Sequence, residues 1–307
     1  MALDHVNVYV IDEGDSWTII DTGFWSKKTQ SIWSDIKEKW FSDKPIGKVI
    51  VTHHHPDHVG LAGWFQTEFK ADLWMSRTAW LMARMLRLDY QKLPTEETIN
   101  FWRRAGMDDL ILNERATGKP FNFGDSVHEM PLGFRRIIDG EKIILGNRSW
   151  IVRVGNGHAP EHLTLWCEDE PIVIAGDQII SSISPNLGVY ATEPEADPVQ
   201  EWLMSCEAFL PFSNDKQLVL PGHKLPFYGL PHRLKQLIEN HHSALKRLVA
   251  FLKEPQTAVD CFPVLFNRKI SDNEYGLALV EAVAHLNHLY RKKIVKRELN
   301  SLSLIHI

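Results

Sequence analysis

The chain has 307 residues, of which 44% are hydrophobic and 24% are charged. This balance is typical of a globular protein and excludes collagen-like, coiled-coil and disordered chains. The formal net charge of −5 excludes a global basic field that would hold nucleic acid or an anionic membrane. No apolar run approaches the length of a membrane span, and no signal peptide is recognisable at the N-terminus.

The three cysteines, Cys167, Cys206 and Cys261, are widely scattered along the chain. They predict reduced thiols rather than a framework of disulfide bonds. We therefore expect a cytoplasmic protein without a membrane partner. The composition leaves a monomer and a homodimer both open.

The first part of the chain alternates strand and helix signals. The predicted elements are strands at 6–11 and 17–20, a helix from Ser26 to about Phe41, a strand at 47–52, a helix at 59–69 and a strand at 72–75. Residues 76–118 then favour helices, which we interpret as a helical insertion between sheet strands. Alternation of this kind predicts an α/β fold.

Strand signals return after the insertion. They lie at 137–138, 143–145, 150–154, 163–167, 171–175 and 218–220, with a helix from Asp197 to about Leu210 before the last of them. This order suits a sandwich of two sheets covered by helices. Residues 231–307 differ, with a long amphipathic helix, two further helices and a short basic strand at 293–297. We therefore divide the chain into a main domain, 1–230, and a small helical domain, 231–307.

A dense run of ligand-type side chains, Thr-His-His-His-Pro-Asp-His at residues 52–58, follows the predicted strand 47–52. His53 and His55 are two residues apart, so an extended strand end would point both side chains the same way. The proline after them turns the chain and directs Asp57 and His58 toward a second ion. Neutral imidazoles and carboxylates suit zinc, and also iron or manganese. A solvated or tag-like histidine cluster would lack the aspartate and the preceding apolar strand.

Three further candidates, His158, Asp177 and His223, each follow a glycine at the end of a predicted strand. A backbone without side-chain bulk allows close approach to a metal at such positions. Each residue alone is a weak signal, since a single His or Asp in a turn is usually structural. In the same strand-end context as the histidine run, they predict one metal centre.

Together with Asp21-Thr22-Gly23 after the second strand, these motifs resemble the signature of the metallo-β-lactamase superfamily over residues 6 to about 226. The resemblance implies an αββα sandwich with two divalent metal ions at one rim of the sheets. It also implies the roles of the ligands: His53, His55 and His158 for one ion, Asp57, His58 and His223 for the other, and Asp177 as the bridge. Asp21 would orient a ligand without binding metal.

The full ligand set is similar to that of hydrolases resembling glyoxalase II, lactonases and thioesterases. Residues 231–300 resemble the C-terminal winged-helix-like region of one branch of that group, and by that comparison the chain lacks a first strand and ends inside the wing. The resemblance implies hydrolysis of a thioester, carboxylic ester or lactone by a hydroxide that bridges two metals. Asp57 is the catalytic candidate, because it is placed to orient that hydroxide or to move its proton.

The expected partner is a small-molecule acyl substrate. Its candidate contacts are Phe24, Trp25, the loop 181–190, Lys224, Arg233 and the insertion residues Trp74, Trp80, Met82, Met85, Phe101 and Trp102. Packing of the insertion onto the sandwich explains these apolar residues equally well.

Two alternatives remain open at this point. A metal-dependent endoribonuclease would use the basic cluster of Arg291, Lys292, Lys293, Lys296 and Arg297 to contact phosphates. The same cluster is also typical of a solvated helix end, and the acidic net charge argues against a nucleic-acid partner. The second alternative is amide hydrolysis of the β-lactamase type. We expect His241, His242, His285 and His288 to be structural.

Overall fold

The computed structural model describes residues 5–41, 44–300 and 303–306. Its strands are β1 Tyr9–Asp12, β2 Trp17–Ile20, β3 Ile46–Ile50, β4 Asp72–Met75, β5 Arg135–Arg136, β6 Lys142–Leu145, β7 Arg148–Gly155, β8 His162–Cys167, β9 Ile172–Gly176, β10 Leu218–Pro221, β11 Arg297–Asn300 and β12 Ser303–His306. Its α-helices are α1 Lys27–Trp40, α2 Pro56–Val59, α3 Ala62–Phe69, α4 Arg77–Leu88, α5 Glu96–Arg104, α6 Asp109–Thr117, α7 Pro198–Phe209, α8 Leu230–Phe251, α9 Phe262–Phe266 and α10 Tyr275–Arg291.

Two sheets form the centre of the described chain, in the strand orders β1-β2-β3-β4-β5 and β10-β9-β8-β7-β6. Apolar side chains from both sheets, among them Ile20, Ile50 and Leu163, pack together between them. Trp33 of α1 and Phe65 of α3 pack against the outer face of the first sheet, and Trp202 of α7 packs against the second. The predicted αββα sandwich is confirmed.

Short-range signals located the helix starts well. The side chain of Ser26, where the predicted helix begins, accepts from the backbone N–H of Thr29 at 3.1 Å and so caps α1. Asp197 caps α7 in the same way by accepting from the N–H of Gln200 at 3.0 Å. Pro198 then occupies the first turn, where its missing N–H costs nothing.

The single helix predicted over 59–69 is wrong, because two short helices, α2 and α3, occupy this region. The hydroxyl of Thr22 accepts from the N–H of Leu61 at 2.9 Å. That bond takes a donor that a continuous helix would use for its own ladder.

Two predicted strands are displaced. The strand predicted at 137–138 is observed as β5 at Arg135–Arg136, although Ile137 still donates to the carbonyl of Met75 at 3.0 Å. The strand predicted at 293–297 is wrong, since Lys293 has a φ of +59° in the turn that ends α10, and β11 begins only at Arg297. A left-handed residue at that position turns the chain instead of extending it.

Helices α4, α5 and α6 form the predicted insertion between β4 and β5. Trp80 stacks on Phe134 with ring centroids 4.7 Å apart, whereas Phe101 and Trp102 pack against the core shared with the C-terminal helices. Packing therefore accounts for these three aromatic rings of the insertion.

The C-terminal helices do not stand apart from the sandwich. Leu237 of α8 and Leu286 of α10 belong to the same buried cluster as Trp202 of α7. The predicted boundary between 1–230 and 231–307 falls at the first turn of α8 and stays a prediction. None of the helices within the described residues has the length and apolar character needed to cross a bilayer.

Candidate metal centre

The candidate centre lies at a rim of the sandwich where several strands end. Asp21 follows β2, the histidine run follows β3, Asp177 follows β9 and His223 follows β10. β2 and β3 are parallel neighbours in one sheet, and β9 and β10 are parallel neighbours in the other. The carboxyl ends of each pair therefore meet at one edge, which is the usual place for a site in such sheets. His158 joins them from the turn between β7 and β8.

The histidine run does not extend β3. His53 and His55 lie in a bend after the strand, so the prediction that an extended strand end aligns them is wrong. Their rings still meet, with centroids 4.6 Å apart. Pro56 takes the first position of α2, and the single turn of this helix carries Asp57 and His58.

One set of ligand-type atoms comes from His53, His55 and His158. These atoms lie within 4.8 Å of one another. The ring centroid of His158 is 4.5 Å from that of His55 and 5.1 Å from that of His53. This is the set that the sequence motifs predict for one ion.

A second set comes from Asp57, His58 and His223, again with ligand atoms within 4.8 Å of one another. Oδ2 of Asp57 lies 3.1 Å from Nε2 of His223 and 3.7 Å from Nε2 of His58. The Asp57 side chain is 19% exposed, whereas those of His58 and His223 are 0% and 2% exposed. Asp57 is therefore the member of this set that solvent reaches.

Asp177 lies between the two sets. Its Oδ1 is 3.4 Å from Nε2 of His58, and its Oδ2 is 3.6 Å from Nε2 of His158 and 3.3 Å from Nε2 of His223. A carboxylate that faces imidazoles of both sets has the placement of a bridging ligand. The structure thus brings all seven predicted side chains together, and their roles as ligands stay predictions.

Two of the histidines are oriented by backbone carbonyls. Nδ1 of His158 donates to the carbonyl of Asn186 at 2.9 Å, and Nδ1 of His223 donates to the carbonyl of His5 at 2.6 Å. Because a carbonyl only accepts, Nδ1 carries the proton in both rings. Nε2 of both rings faces the cluster, and in the neutral form of each imidazole it is the nitrogen with a free lone pair, as metal binding requires.

Asp21 orients two more histidines from behind. Its carboxylate accepts from the N–H and the hydroxyl of Thr52 and from Nδ1 of His58, each at 2.8 Å. Since the Thr52 hydroxyl donates to Asp21, it accepts in turn from Nδ1 of His53 at 3.0 Å. One buried carboxylate therefore holds both rings with Nε2 toward the centre.

The atoms that face the centre have no hydrogen-bond partner of their own. They are Nε2 of His53, His58, His158 and His223 and Oδ1 of Asp177, all buried. Each such unpaired atom costs about 1–3 kcal/mol in a folded protein. Imidazole nitrogens with carboxylate oxygens are the donor set of zinc, and also of iron and manganese. The residues present fit divalent metal ions.

Electrostatics divides the cluster into two halves. Burial and the neighbouring imidazoles hold the pKa of His53 and the pKa of His55 well below the ordinary value, so both rings are neutral. Burial also acts to lower the pKa of His58, but the carboxylates of Asp177 and Asp57 outweigh it and raise that pKa well above its ordinary value. The carboxylates of Asp57 and Asp177 thus place negative charge in the half of the cluster proposed for the second cation, where they would balance its positive charge.

Sequence reasoning assigned no role to His162 or Thr52, and it included Asn186 only as part of the loop 181–190 expected to contact the substrate. Nε2 of His162 accepts from the N–H of Asp177 at 3.1 Å, and its ring stacks on that of His53 with centroids 4.5 Å apart. The positions of His162, within the motif that follows β7, and of Thr52, directly before the histidine run, were signals that could have identified both. Asn186 has no such local signal.

Arg233 is not free for a substrate. Its guanidinium is buried, with Nε donating to the carbonyl of Ile180 at 2.7 Å and Nη2 donating to the carbonyl of Ile183 at 2.8 Å. The prediction that Arg233 contacts the substrate is therefore not supported, because its donors hold the loop that follows Asp177.

Comparison with known proteins agrees with this architecture. The model of the metallo-beta-lactamase superfamily matches residues 1–223, and the model of the metallo-beta-lactamase-like C-terminal domain matches residues 245–305. The "Probable metallo-hydrolase YqjP" of Bacillus subtilis (strain 168) is 23% identical over 308 residues, covering 96% of this chain and 90% of that protein.

Two solved structures are similar over nearly their whole length. A beta-lactamase domain protein from Burkholderia ambifaria is 30% identical with a TM-score of 0.90, covering 100% of this chain and 89% of its own. The metallo-beta-lactamase family protein TTHA1429 from Thermus thermophilus is 24% identical with a TM-score of 0.80, covering 98% and 93%, and supports the fold alone. With the superfamily model matched across both sheets and the whole candidate centre, the chain belongs to the metallo-beta-lactamase superfamily.

Proposed function

We propose that this chain is a binuclear metal-dependent hydrolase that cleaves a thioester, a carboxylic ester or a lactone. The observation that carries the proposal is the convergence of seven side chains, five of which have a buried atom without a hydrogen-bond partner: His53, His58, His158, His223 and Asp177. The name of the Bacillus subtilis relative, a metallo-hydrolase, supports the reaction class.

Each predicted ligand has a stated place in this proposal. His53, His55 and His158 would hold one ion, Asp57, His58 and His223 would hold the other, and Asp177 would contact both. Divalent ions, with zinc as the first choice and iron or manganese as alternatives, would act as Lewis acids. They would also lower the pKa of a bound water, so that hydroxide is available at neutral pH.

We assign to Asp57 the movement of a proton to and from the reacting groups. It is the more open of the two carboxylates in the cluster, at 19% exposure against 7% for the Asp177 side chain. Burial acts to raise the pKa of Asp57, but His58 and His223 outweigh it and lower that pKa. Asp57 is therefore an acceptor at neutral pH, and its exposure connects it to solvent.

The substrate proposal rests on the exposure of aromatic side chains in two loops of the centre and on the absence of a free guanidinium at Arg233. Phe24 and Tyr190 are 46% and 50% exposed, and they lie in the loops that carry Asp21 and Asn186. Exposed aromatic rings on those loops suit the apolar part of an acyl group. Arg233, in contrast, has no free guanidinium with which to bind a negatively charged thiol part of a thioester substrate.

The endoribonuclease alternative loses part of its basic cluster to internal contacts. Arg291 donates to the carbonyl of Glu195 at 2.8 Å, and Arg297 pairs with the carboxylate of Glu195 at 2.7 Å. Lys292, Lys293 and Lys296 remain for phosphates. We also propose a cytoplasmic location, since Cys167, Cys206 and Cys261 are free thiols.

A substrate panel tests the function. Zinc-loaded and chelator-treated protein would be assayed on acyl thioesters, lactones, a cephalosporin and single-stranded RNA. We expect turnover of a thioester, ester or lactone in the loaded protein only. Changing Lys292, Lys293 and Lys296 to Ala should leave that rate within about 2-fold, because all three side chains are exposed and salt screens their charges. Two outcomes would contradict the proposed substrate class: cleavage of RNA by the parent that is weaker in the triple variant, or turnover of the cephalosporin and of no other substrate.

A further inference from the structure

We infer that Asn186 and Glu281 position the imidazole of His158, so that helix α10 of the C-terminal region is a working part of the metal centre. The inference rests on the proposed function, because it takes His158 to be a metal ligand. Asn186 and Glu281 are positioning residues here, and neither is among the seven predicted ligands.

The chain of contacts begins at the His158 ring. Nδ1 of His158 donates to the backbone carbonyl of Asn186 at 2.9 Å, and this bond sets the direction of Nε2. The side chain of Asn186 donates to Oε2 of Glu281 at 2.8 Å and to the carbonyl of Leu277 at 3.2 Å. Two points on α10 therefore hold the residue whose carbonyl holds the ligand.

Glu281 is well placed to act as an anchor. It projects from α10, between Tyr275 and Arg291, and is half-buried. Burial raises the pKa of Glu281 to about 7, opposed by the hydrogen bond from Asn186, which distinguishes the group from a solvated surface carboxylate. A rigid helix is a more precise support for a metal ligand than a loop is.

The rest of the loop after Asp177 is also tied to the C-terminal helices. Val189 donates its N–H to the carbonyl of Val280 at 3.1 Å. The side chain of Asn287 donates to the carbonyls of Pro194 and Ala196 at 2.9 and 3.0 Å.

Arg233 of α8 extends the same support to the start of this loop, through the carbonyls of Ile180 and Ile183. These contacts leave Asn186 little freedom to move away from His158. Outer hydrogen-bond partners of this kind change metal affinity by about 10- to 100-fold in known metal sites.

The test measures Zn²⁺ binding to the full chain by competition with a chromophoric chelator, and the absorption spectrum of the Co²⁺-loaded protein. Glu281→Ala and Asn186→Ala should each weaken Zn²⁺ binding by about 10-fold, the lower end of the range for outer partners. The double variant should be no weaker than either single variant, because both changes remove one connection.

Two conservative variants separate positioning from folding. Glu281→Gln should bind Zn²⁺ within about 2-fold of the parent, since its amide oxygen still accepts from Asn186. Asn186→Asp, nearly identical in shape, replaces the amide donor by a carboxylate, so Zn²⁺ binding should weaken when measured at a pH where Glu281 is ionised and the two carboxylates repel each other. Glu254→Ala is the matched control: this exposed glutamate after α8 should leave both readouts unchanged.

The outcomes distinguish the inference from its premise. If His158→Ala binds Zn²⁺ like the parent, the proposed metal centre is wrong and the inference falls with it. If His158→Ala weakens binding while the Glu281 and Asn186 variants retain the parent affinity and Co²⁺ spectrum, the metal centre stands and the positioning role is refuted.

Discussion

Two groups of buried histidines in this protein satisfy their ring nitrogens in different ways. At the rim of the sandwich, Nε2 of His53, His58, His158 and His223 has no hydrogen-bond partner, although carboxylates lie close by. The Nδ1 atoms of the same rings are held by other parts of the chain. The rim cluster is therefore oriented by the protein, with ring nitrogens that lack partners and face the place proposed for the cations.

The second group lies between α7, α8 and α10 and is largely closed on itself. Nδ1 of His285 donates to the carbonyl of Glu281 at 2.9 Å, so its Nε2 accepts from Nδ1 of His241 at 3.0 Å. His288 bonds to the carboxylate of Asp197 at 3.0 Å. Nε2 of His241 is unpartnered, and its ring lies against Trp202 with centroids 4.9 Å apart.

The difference shows what separates a ligand-binding cluster from a structural one. Burying a histidine is common to both groups, so burial and count do not discriminate between them. In the rim cluster several ring nitrogens without hydrogen-bond partners converge with two carboxylates, at a cost to folding that a bound cation would offset. In the inner group the imidazoles pair with one another and with a helix carbonyl.

The largest expected effect comes from comparing the same substitution in each group. Asp177→Asn removes the charge that faces both ligand sets. Loss of a hydrogen-bond partner of a metal ligand costs up to about 100-fold, and loss of a ligand charge should cost at least as much, so hydrolysis and Zn²⁺ affinity should each fall by at least about 100-fold. Metal analysis after dialysis and steady-state rates measure it.

Asp197→Asn is the matched control, because Asp197 pairs with His288 in the inner group. It should lower the free energy of unfolding slightly and leave the metal content unchanged. Equal metal loss in both variants would contradict the distinction between the two groups.

A smaller effect is expected at Gly222, where an added Cβ would collide with Oδ1 of Asp177 and lie 2.7 Å from Cε1 of His58. Gly222→Ala should cost about 1–3 kcal/mol of stability, as overpacking usually does, and should weaken Zn²⁺ binding as well. Denaturant unfolding with and without Zn²⁺ measures both terms.

Gly133 provides the comparison, because nothing lies within 4 Å of the position that an added Cβ would take and its φ is not in the left-handed region. Gly133→Ala should change the free energy of unfolding by less than about 0.5 kcal/mol. If Gly222→Ala is equally silent, the close packing around Asp177 is not rigid.

The smallest effect concerns acid stability and tests the inner group. Burial lowers the pKa of His241 to about 3 and that of His285 to about 4. Between the ordinary value near 6.5 and these values, the unfolded chain takes up protons that the folded chain refuses. Stability from the pair is therefore full above pH 6.5 and is lost as the pH falls toward 4.

His285→Gln keeps a hydrogen-bonding group beside His241 but does not titrate. The slope of unfolding free energy against pH between 4 and 6 should decrease by about 1 kcal/mol per pH unit relative to the parent. A chelator in both samples keeps the rim cluster free of metal, so its histidines contribute equally to the pH dependence of the parent and of the variant. An unchanged slope would mean that His285 is not buried in its neutral form.

Much of the candidate centre was predictable because its residue types are concentrated in short motifs. The run at 52–58 and the glycine-preceded His158, Asp177 and His223 contain all seven candidate ligands that the structure brings together at the rim. The local geometry was less predictable, since the histidines lie in a bend and not on a strand end. The two-residue spacing of His53 and His55 does not distinguish these two conformations.

By itself the sequence determined most of the strand and helix order in the sandwich, the helix starts at Ser26 and Asp197, and the chemistry of the ligand set. Each of these is encoded within a few neighbouring residues, through period, capping and donor type. Only the tertiary structure decided that Asn186 and Glu281, 95 residues apart, are hydrogen-bonded to each other behind His158. Such a contact depends on how α10 packs against the loop after Asp177, and long-range packing leaves no periodic signal in either segment.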